Sequence, residues 1–213
     1  MEPNSQPIAH DSRQARLYVV RHGQTDWNVE PARCQGWAEI GLNEDGRAQA
    51  RARGRALAGS GVELIVTSHL LRARETAGLI REELGGELPL IVDPRLAEGH
   101  RGEWETQLLK DVVAEEPETW RQYREHPETF RFPAGESLAD QQRRVLAALR
   151  DAARDGRPAL LVTHGGSIRL VRCFLDGGGI AAFHETKTSN GGVDEVEADG
   201  LVERITAFLA GRA

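Results

Sequence analysis

Two histidines follow two short apolar segments of the chain in the same way. His22 comes shortly after the run 17–20, and His164 comes shortly after the run 159–162. Such short, continuous apolar runs are typical of strands buried on both faces of a parallel sheet. The glycine after each histidine lets the backbone turn sharply. Ligands bind beyond the carboxyl ends of parallel strands, so we expect the two imidazoles to face one pocket.

Two arginines belong to the same constellation. Arg21 directly precedes His22, and Arg72 stands in the first turn of a helix that follows a third apolar run, 64–66. Planar guanidinium groups and helix N-termini favour a compact polyanion, and phosphate fits best. An imidazole held neutral by neighbouring arginines offers its lone pair to phosphorus. The residue types therefore predict phosphoryl transfer.

A carboxylate is needed to protonate the leaving oxygen and later to activate water. Glu98 follows the short run 89–94 and is one candidate for this role. The residues alone favour it no more than Glu103 or Glu105. Each histidine taken singly is more typical of a hydrogen-bonded strand end than of a catalyst. The two histidines together with the two arginines reverse that balance and favour a functional site.

The elements that must position these groups alternate between strands and helices. Apolar residues spaced by three and four predict a helix over 70–84, and further helices are expected to begin near Asn43 and at Ser137, a good N-cap. This alternation predicts an α/β fold, a three-layer sandwich whose mostly parallel central sheet has helices on both faces. Near the end of the chain we expect two weaker strands, 192–197 and 201–206, joined as an antiparallel hairpin.

The segment from about 105 to 132 interrupts this pattern. It is polar and is expected to be helical in pieces. It mixes arginines with aromatic residues, namely Trp120, Arg121, Tyr123, Arg124, Phe130, Arg131 and Phe132. One interpretation is a lid-like excursion whose arginines favour an acidic or ring-bearing leaving group. The other is a solvated helical excursion held by a few anchoring aromatic side chains.

Composition restricts the class of protein. The chain has 213 residues, with 27 Lys and Arg against 33 Asp and Glu and a formal net charge of −6. We expect one domain over 16–213 behind a flexible arm, 1–15, and no nucleic-acid partner, because a basic stripe is absent. No apolar run approaches the roughly 18 residues of a membrane span, the arm lacks a secretory core, and Cys34 and Cys173 form no CxxC pair. These features predict a cytoplasmic protein without a membrane partner. They do not decide between a monomer and a homodimer.

Five blocks of the chain resemble the histidine phosphatase superfamily, also called the phosphoglycerate mutase-like family. The blocks occur in the family's order and cover about residues 16–170. They are the RHG signature in 21–28 with its continuation in 33–36, the helix start in 68–77, the acid-bearing loop with Glu98 and 102–105, the run Gly135-Glu136-Ser137, and the second histidine motif in 163–166.

The resemblance implies a role for individual residues. His22 would be the phosphohistidine nucleophile, and Glu98 the general acid and base. The groups that would hold the transferring phosphoryl group are Arg21, Arg72 and His164. The residues that the resemblance assigns to substrate binding are Asn28, Gln35, Gly36 and Gly165. Asn28 would be a lesser contact of the phosphoryl group. The family uses no metal, so neither a metal nor a cofactor is expected.

The activity implied is that of a metal-independent phosphatase acting on a small phosphorylated metabolite, a sugar phosphate or phosphoglycerate-like phosphomonoester. The alternative is a cofactor-dependent phosphoglycerate mutase, because Glu98-x-His100-x-Gly102 resembles the mutases' loop. A non-catalytic phosphate-binding module is a third hypothesis.

Two residues depart from the family pattern. Cys34 stands where a hydroxyl-bearing or other residue is often found, and Thr106 stands where a glycine commonly closes the acid-bearing loop. We therefore expect no phosphate contact from the Cys34 side chain, and the resemblance does not define the shape of the loop at Thr106.

Overall fold

The computed structural model describes residues 16–186 and 193–211. Its strands are β1 (Arg16–Arg21), β2 (Leu64–Thr67), β3 (Leu90–Val92), β4 (Ala159–Thr163) and β5 (Val193–Glu197). They form one five-stranded sheet of order β3-β2-β4-β1-β5. The first four strands are parallel, and β5 runs antiparallel to β1 at one edge. The mostly parallel sheet that the sequence predicts is confirmed, whereas the expected arm, 1–15, lies outside the described residues.

Helices cover both faces of this sheet. They are α1 (Glu44–Ala56), α2 (Leu71–Glu83), α3 (Leu109–Glu115), α4 (Pro117–Glu125), α5 (Leu138–Asp155), α6 (Gly165–Leu175) and α7 (Leu201–Leu209). Neighbouring residues of β1 point to opposite faces, as a pleated strand requires. Val20 belongs to the core cluster that contains Ile80 of α2, and Val19 to the cluster that contains Leu149 of α5 and Val171 of α6. The three-layer sandwich is therefore confirmed.

The helices of the described residues are too short or too polar to span a bilayer.

Two side chains cap helices at the positions where the sequence predicts that helices begin. The Asn43 side chain accepts a hydrogen bond from the Gly46 N–H at 2.9 Å and caps α1. Ser137 and Asp140 form a capping box at the start of α5. Each cap satisfies amide groups that the first helical turn cannot pair internally. Both predicted helix starts are confirmed.

The predicted C-terminal hairpin is wrong in its second half. The strand predicted over 192–197 is β5, but 201–206 lies in helix α7, which begins after Gly200 in a left-handed conformation with φ 64°. Leu201 and Ile205 are both buried, because their spacing of four places them on one face of the helix. That face joins the core formed with α5. The spacing of Leu201, Ile205 and Leu209 by four is a helical signal that the strand interpretation overlooked.

We expect Ile205→Ala to lower the free energy of unfolding by about 2–4 kcal/mol, because it leaves a cavity in the packed core. The side chain of Ile205 is 0% exposed. The control is Glu203→Ala on the exposed side of α7, which is expected to change stability by less than about 0.5 kcal/mol. Urea unfolding of both variants measures the difference. Equal effects of the two substitutions would contradict the helical packing.

Candidate active site

The two histidines meet at the carboxyl edge of the sheet. Strands β1 and β4 are adjacent and parallel, with Arg21 opposite Thr163. The pairing continues one step further, since the His22 N–H donates to the Thr163 carbonyl at 2.9 Å. The ring centroids of His22 and His164 lie 5.1 Å apart, and both residues are buried. The structure thus brings together the two imidazoles that the sequence predicts to share a pocket.

His22 is held as a neutral imidazole with a defined tautomer. Its Nδ1 lies 2.7 Å from the carbonyl oxygen of Gly23. A carbonyl can only accept, so Nδ1 carries the hydrogen and Nε2 keeps its lone pair. Burial, followed by the charges of Arg72 and Arg21, lowers the pKa of His22 well below its ordinary value. The ring therefore offers a nucleophilic nitrogen at neutral pH.

His164 is neutral for related reasons. Its Nε2 lies 2.9 Å from the hydroxyl oxygen of Ser68, a residue that follows β2. Burial lowers the pKa of His164 well below its ordinary value, and Arg72 and His22 lower it further. Its Nδ1 has no hydrogen-bond partner among the described residues. His164 is thus a buried ring with one nitrogen oriented by Ser68 and the other without a hydrogen-bond partner among the described residues.

Arg72 is anchored by the loop that follows the RHG signature. It is completely buried, and its two terminal nitrogens donate to the carbonyl oxygens of Ala38 at 2.9 Å and Gly36 at 2.7 Å. Burial lowers its pKa to about 10, so the guanidinium remains charged at neutral pH. Its Nε has no partner among the described residues. The loop thus holds a rigid cation beside the histidines.

Arg21 lies against the start of α6. A Cβ atom added to Gly165 would come within 3.3 Å of the Arg21 Nε, so the absence of a side chain there leaves room for the guanidinium. Burial lowers the pKa of Arg21, Glu98 acts against that shift, and Arg169 adds to it. Gly165 does not line the cavities described below, so it shapes the site through Arg21.

Glu98 is held by donors from three separate segments. Its Oε1 accepts from Gly99 N–H at 2.9 Å, from the Gln141 amide at 2.8 Å and from Arg101 at 3.3 Å. Its Oε2 accepts from the Gly166 N–H, at the start of α6, at 3.0 Å. Burial alone would raise the pKa of Glu98, but Arg101 and these hydrogen bonds outweigh it and lower the pKa to about 2. Glu98 is therefore ionised in the unliganded site.

The structure separates Glu98 from the other two acidic candidates. Glu105 accepts hydrogen bonds through Oε1 from the backbone N–H groups of Trp37 at 2.8 Å and Arg101 at 2.9 Å, and so braces two loops. Glu103 is exposed on the outer side of its loop. Of the three, only Glu98 lines a cavity that also contains His22, within the described residues.

The cleft around His22 has two connected parts. One, of about 150 Å³, is lined by Arg21, His22, Asn28, Gln35, Gly36, Arg72, Glu98 and Arg101. The other, of about 340 Å³, is lined by Arg21, His22, Gly23, Gln24, Asn28, Gln49 and Arg53. Asn28, Gln35 and Gly36, which the sequence assigns to substrate binding, thus line this cleft. Sequence reasoning missed Arg101, Gln141 and Arg53, whose positions depend on how distant segments pack.

The arginines of the 105–132 excursion do not reach this cleft. Arg121 pairs with Glu118 and Glu125 on the surface of α4. Arg124 contacts the His184 ring, and Arg131 pairs with Asp140. These surface contacts do not support the interpretation in which the arginines bind the leaving group, and they favour the solvated helical excursion.

The aromatic residues of the same excursion anchor it to the domain. They form a cluster with buried Trp104, which lies 5.7 Å from Trp120, 5.8 Å from Tyr123 and 5.3 Å from Phe132 between ring centroids. Cys34 and Cys173 are also buried in this cluster. Burial raises the pKa of Cys34 to about 11, so its thiol stays protonated and serves as packing.

Thr106 adopts an unfavourable backbone conformation. Its φ is 69°, in the left-handed region that β-branched residues seldom occupy. The conformation is stabilised by its N–H, which donates to the Cys34 carbonyl at 2.8 Å, and by its carbonyl, which accepts from Arg33 at 2.8 Å. The loop therefore keeps the backbone shape that a glycine would adopt, with threonine in its place.

We expect Thr106→Gly to raise the free energy of unfolding by about 1 kcal/mol, because glycine relieves the strain at positive φ. The matched control is Thr119→Gly within α4, where glycine is expected to lower stability by about 0.3–0.5 kcal/mol, since threonine is itself a weak helix former. Thermal unfolding of both variants tests the difference in sign. A loss of stability in Thr106→Gly as large as that in Thr119→Gly would contradict the strain.

Comparison with known proteins places the chain in a family. The model of the histidine phosphatase superfamily (branch 1) matches residues 17–208. A 2,3-bisphosphoglycerate-dependent phosphoglycerate mutase of Methylobacterium sp. (strain 4-46) is 37% identical over 172 residues, 76% of this chain and 80% of that protein. The putative phosphoserine phosphatase 2 of Hydrogenobacter thermophilus is 31% identical over 186 residues, 87% of this chain and 90% of that protein.

A solved structure gives the same result. The native structure of mycobacterial glucosyl-3-phosphoglycerate phosphatase is similar to this chain with a TM-score of 0.76 and 32% identity, over 86% of this chain and 90% of that one. The matched family model, the relatives and the ordered motifs agree. The chain therefore belongs to the histidine phosphatase superfamily, branch 1.

Proposed function

We propose that this protein is a metal-independent phosphatase that hydrolyses a small phosphomonoester through a phosphohistidine at His22. The observation that carries the proposal is a buried, neutral imidazole with an unprotonated Nε2, placed in one cavity with three guanidinium groups and the Glu98 carboxylate. Family membership and the phosphatases among the relatives and solved structures support a phosphoric monoester hydrolase.

The first step forms a bond between His22 Nε2 and phosphorus while the bond from phosphorus to the ester oxygen breaks. Arg21, Arg72 and His164 stabilise the negative charge on the phosphoryl oxygens. The departing oxygen takes a proton from Glu98 and leaves as an alcohol. Neutral His164 contributes as a hydrogen-bond donor, which requires its hydrogen to be on the nitrogen that faces the ligand.

Glu98 must first acquire that proton. A phosphoryl dianion beside a carboxylate raises its pKa, because the two negative charges repel each other. The second pKa of a phosphomonoester is about 6, so the monoanion can also carry the proton into the site. Oε1 already accepts three hydrogen bonds, whereas Oε2 accepts one among the described residues. Oε2 is therefore the oxygen that carries and delivers the proton.

The second step returns the enzyme to its starting state. Water attacks phosphorus, Glu98 takes a proton from that water, and the bond from phosphorus to Nε2 breaks. His22 is again neutral, and inorganic phosphate leaves. A mutase would pass the phosphoryl group to another hydroxyl instead, so phosphate release against phosphoglycerate interconversion separates the two activities. Relatives of both kinds exist, and this proposal favours release to water.

The proposed substrate class is a phosphoglycerate-like or sugar phosphate. Two of the matched proteins are named for phosphorylated hydroxy acids or their glucosylated form, a phosphoserine phosphatase and a glucosyl-3-phosphoglycerate phosphatase. The cleft around His22 is lined chiefly by arginine and amide side chains. Such a lining suits a polar, anionic metabolite better than an apolar one.

We expect His22→Ala to lower kcat for p-nitrophenyl phosphate by about 10³-fold or more, because the nucleophile is removed. Wild-type hydrolysis should persist in a chelator. His126→Ala, on the exposed surface beside α4, is the control and should keep full activity. A rapid, acid-free quench should trap a phosphohistidine in the wild type and none in His22→Ala. Full activity of His22→Ala would reject the mechanism.

We expect Glu98→Gln to slow the hydrolysis of alkyl phosphates by about 10²-fold or more, because the amide cannot protonate a poor leaving group. The effect on p-nitrophenyl phosphate should be smaller in the first step, since nitrophenolate leaves without a proton. Glu103→Gln, exposed on the same loop, is the matched control. Burst kinetics with both esters measure the step. An equal loss on both esters in the burst phase would argue against proton donation by Glu98.

A further inference from the structure

Arg101 lies in the wall of the smaller part of the cleft, and the mechanism above gives it no role beyond its contact with Glu98. It shares that cavity with His22, Arg72 and Glu98. The residue is 8% exposed, which is unusual for a guanidinium group. A buried charge is normally retained only where it has a partner, because removing it from water is costly. The partners of Arg101 therefore indicate what it does.

The partners of Arg101 do not supply an acceptor for every nitrogen of its guanidinium group. Its Nη2 lies 3.3 Å from Glu98 Oε1, which is longer than an ideal charged hydrogen bond. Its Cζ lies 4.3 Å over the centre of the Phe132 ring, which covers one face. Its Nη1 is buried and has no hydrogen-bond partner among the described residues. Arg101 is thus fixed in position with one donor nitrogen unsatisfied.

The proposed mechanism requires Glu98 to be protonated before it donates, and this protonation destabilises the buried charge of Arg101. When Glu98 carries the proton that it will donate, it no longer neutralises Arg101. The guanidinium then loses the carboxylate that contacts it, and a buried charge that loses its ion-pair partner is strongly unfavourable. An anion supplied by the substrate would remove that penalty and stabilise the protonated form of Glu98.

The position of Arg101 determines which part of the substrate can reach it. In an in-line transfer, the leaving oxygen lies opposite His22 Nε2 across phosphorus, and Glu98 must reach that oxygen. Arg101 contacts Glu98 directly, so it lies on the leaving-group side. It also lies near Tyr123 of the excursion, because both pack on Phe132: Arg101 Cζ lies 4.3 Å from the centre of that ring, and the Tyr123 ring centroid lies 5.3 Å from it. The phosphoryl oxygens are left to Arg21, Arg72 and His164.

We propose that Arg101 determines specificity by binding a carboxylate carried by the leaving group, a few atoms from the ester oxygen. The planar fork of arginine matches a carboxylate, and Nη1 is the donor available for it. Arg101 exchanges the Glu98 carboxylate for that of the substrate as Glu98 becomes protonated. This inference rests on the proposed phosphatase function and adds to it the class of leaving group, a short hydroxy acid.

The test compares two esters that differ at one carbon. 3-Phosphoglycerate carries a carboxylate where glycerol 3-phosphate carries a hydroxymethyl group. We expect the wild type to prefer 3-phosphoglycerate by at least about tenfold in kcat/KM. Arg101→Met should lower kcat/KM for 3-phosphoglycerate by about 30-fold or more, in line with the loss of one buried charged partner. The value for glycerol 3-phosphate should change much less, and Arg101→Lys should fall between.

Controls separate recognition from a structural role. Arg121→Met, on the surface of α4, should leave both esters unaffected. Should Arg101→Met fail to fold, the wild type still provides a test, because glycerate is expected to inhibit competitively at concentrations where glycerol does not. Equal losses on both esters in Arg101→Met, no wild-type preference for the carboxylate, or equal inhibition by glycerate and glycerol would each overturn the inference. Failure of the wild type to hydrolyse even p-nitrophenyl phosphate would instead overturn the proposed function.

Discussion

The pairing of β1 with β4 is the constraint on which the site depends. These adjacent parallel strands bring Arg21 opposite Thr163, and the His22 N–H extends the pairing by one further hydrogen bond. The two imidazoles consequently leave the sheet at the same edge with their centroids 5.1 Å apart. A slip of one residue would turn the side chains of one strand to the opposite face. Core packing on both faces of the sheet excludes that slip, so the stability of the fold and the geometry of the site have one origin.

Burial sets the charge state of each group at this edge. Desolvation and the nearby guanidinium groups keep His22 and His164 neutral, whereas Glu98 stays ionised because its donors outweigh its burial. An unliganded site of this kind holds several cations with few counterions, and an anionic substrate relieves their repulsion. In the proposed mechanism binding and chemistry are thereby coupled, since the negative charge that the arginines bind also raises the pKa of Glu98.

Local sequence patterns account for most of the framework. The strand runs, the starts of α1 and α5, and the meeting of His22 with His164 all follow from short-range signals and the rule for parallel sheets. The helix α7 was missed because 201–206 was interpreted as a strand, although Leu201, Ile205 and Leu209 are spaced by four, as on one face of a helix. Gln141 and Arg101 were missed because the type of a polar residue does not reveal which carboxylate it will contact.

The amino-acid sequence by itself determined the family, the α/β order of elements and the residues of the histidine motifs, because these depend on local periodicity and on contiguous runs. Residue types alone left Glu98, Glu103 and Glu105 level, and only the family resemblance favoured Glu98. The tertiary structure gave the physical reason, because the packing of their loop against α5 and α6 places Glu98 in the cavity that His22 lines. It likewise directed Arg121, Arg124 and Arg131 to surface partners and Arg101 to the cleft. Side-chain type limits the chemistry that a residue can perform, but burial and neighbours from distant segments determine whether it performs it.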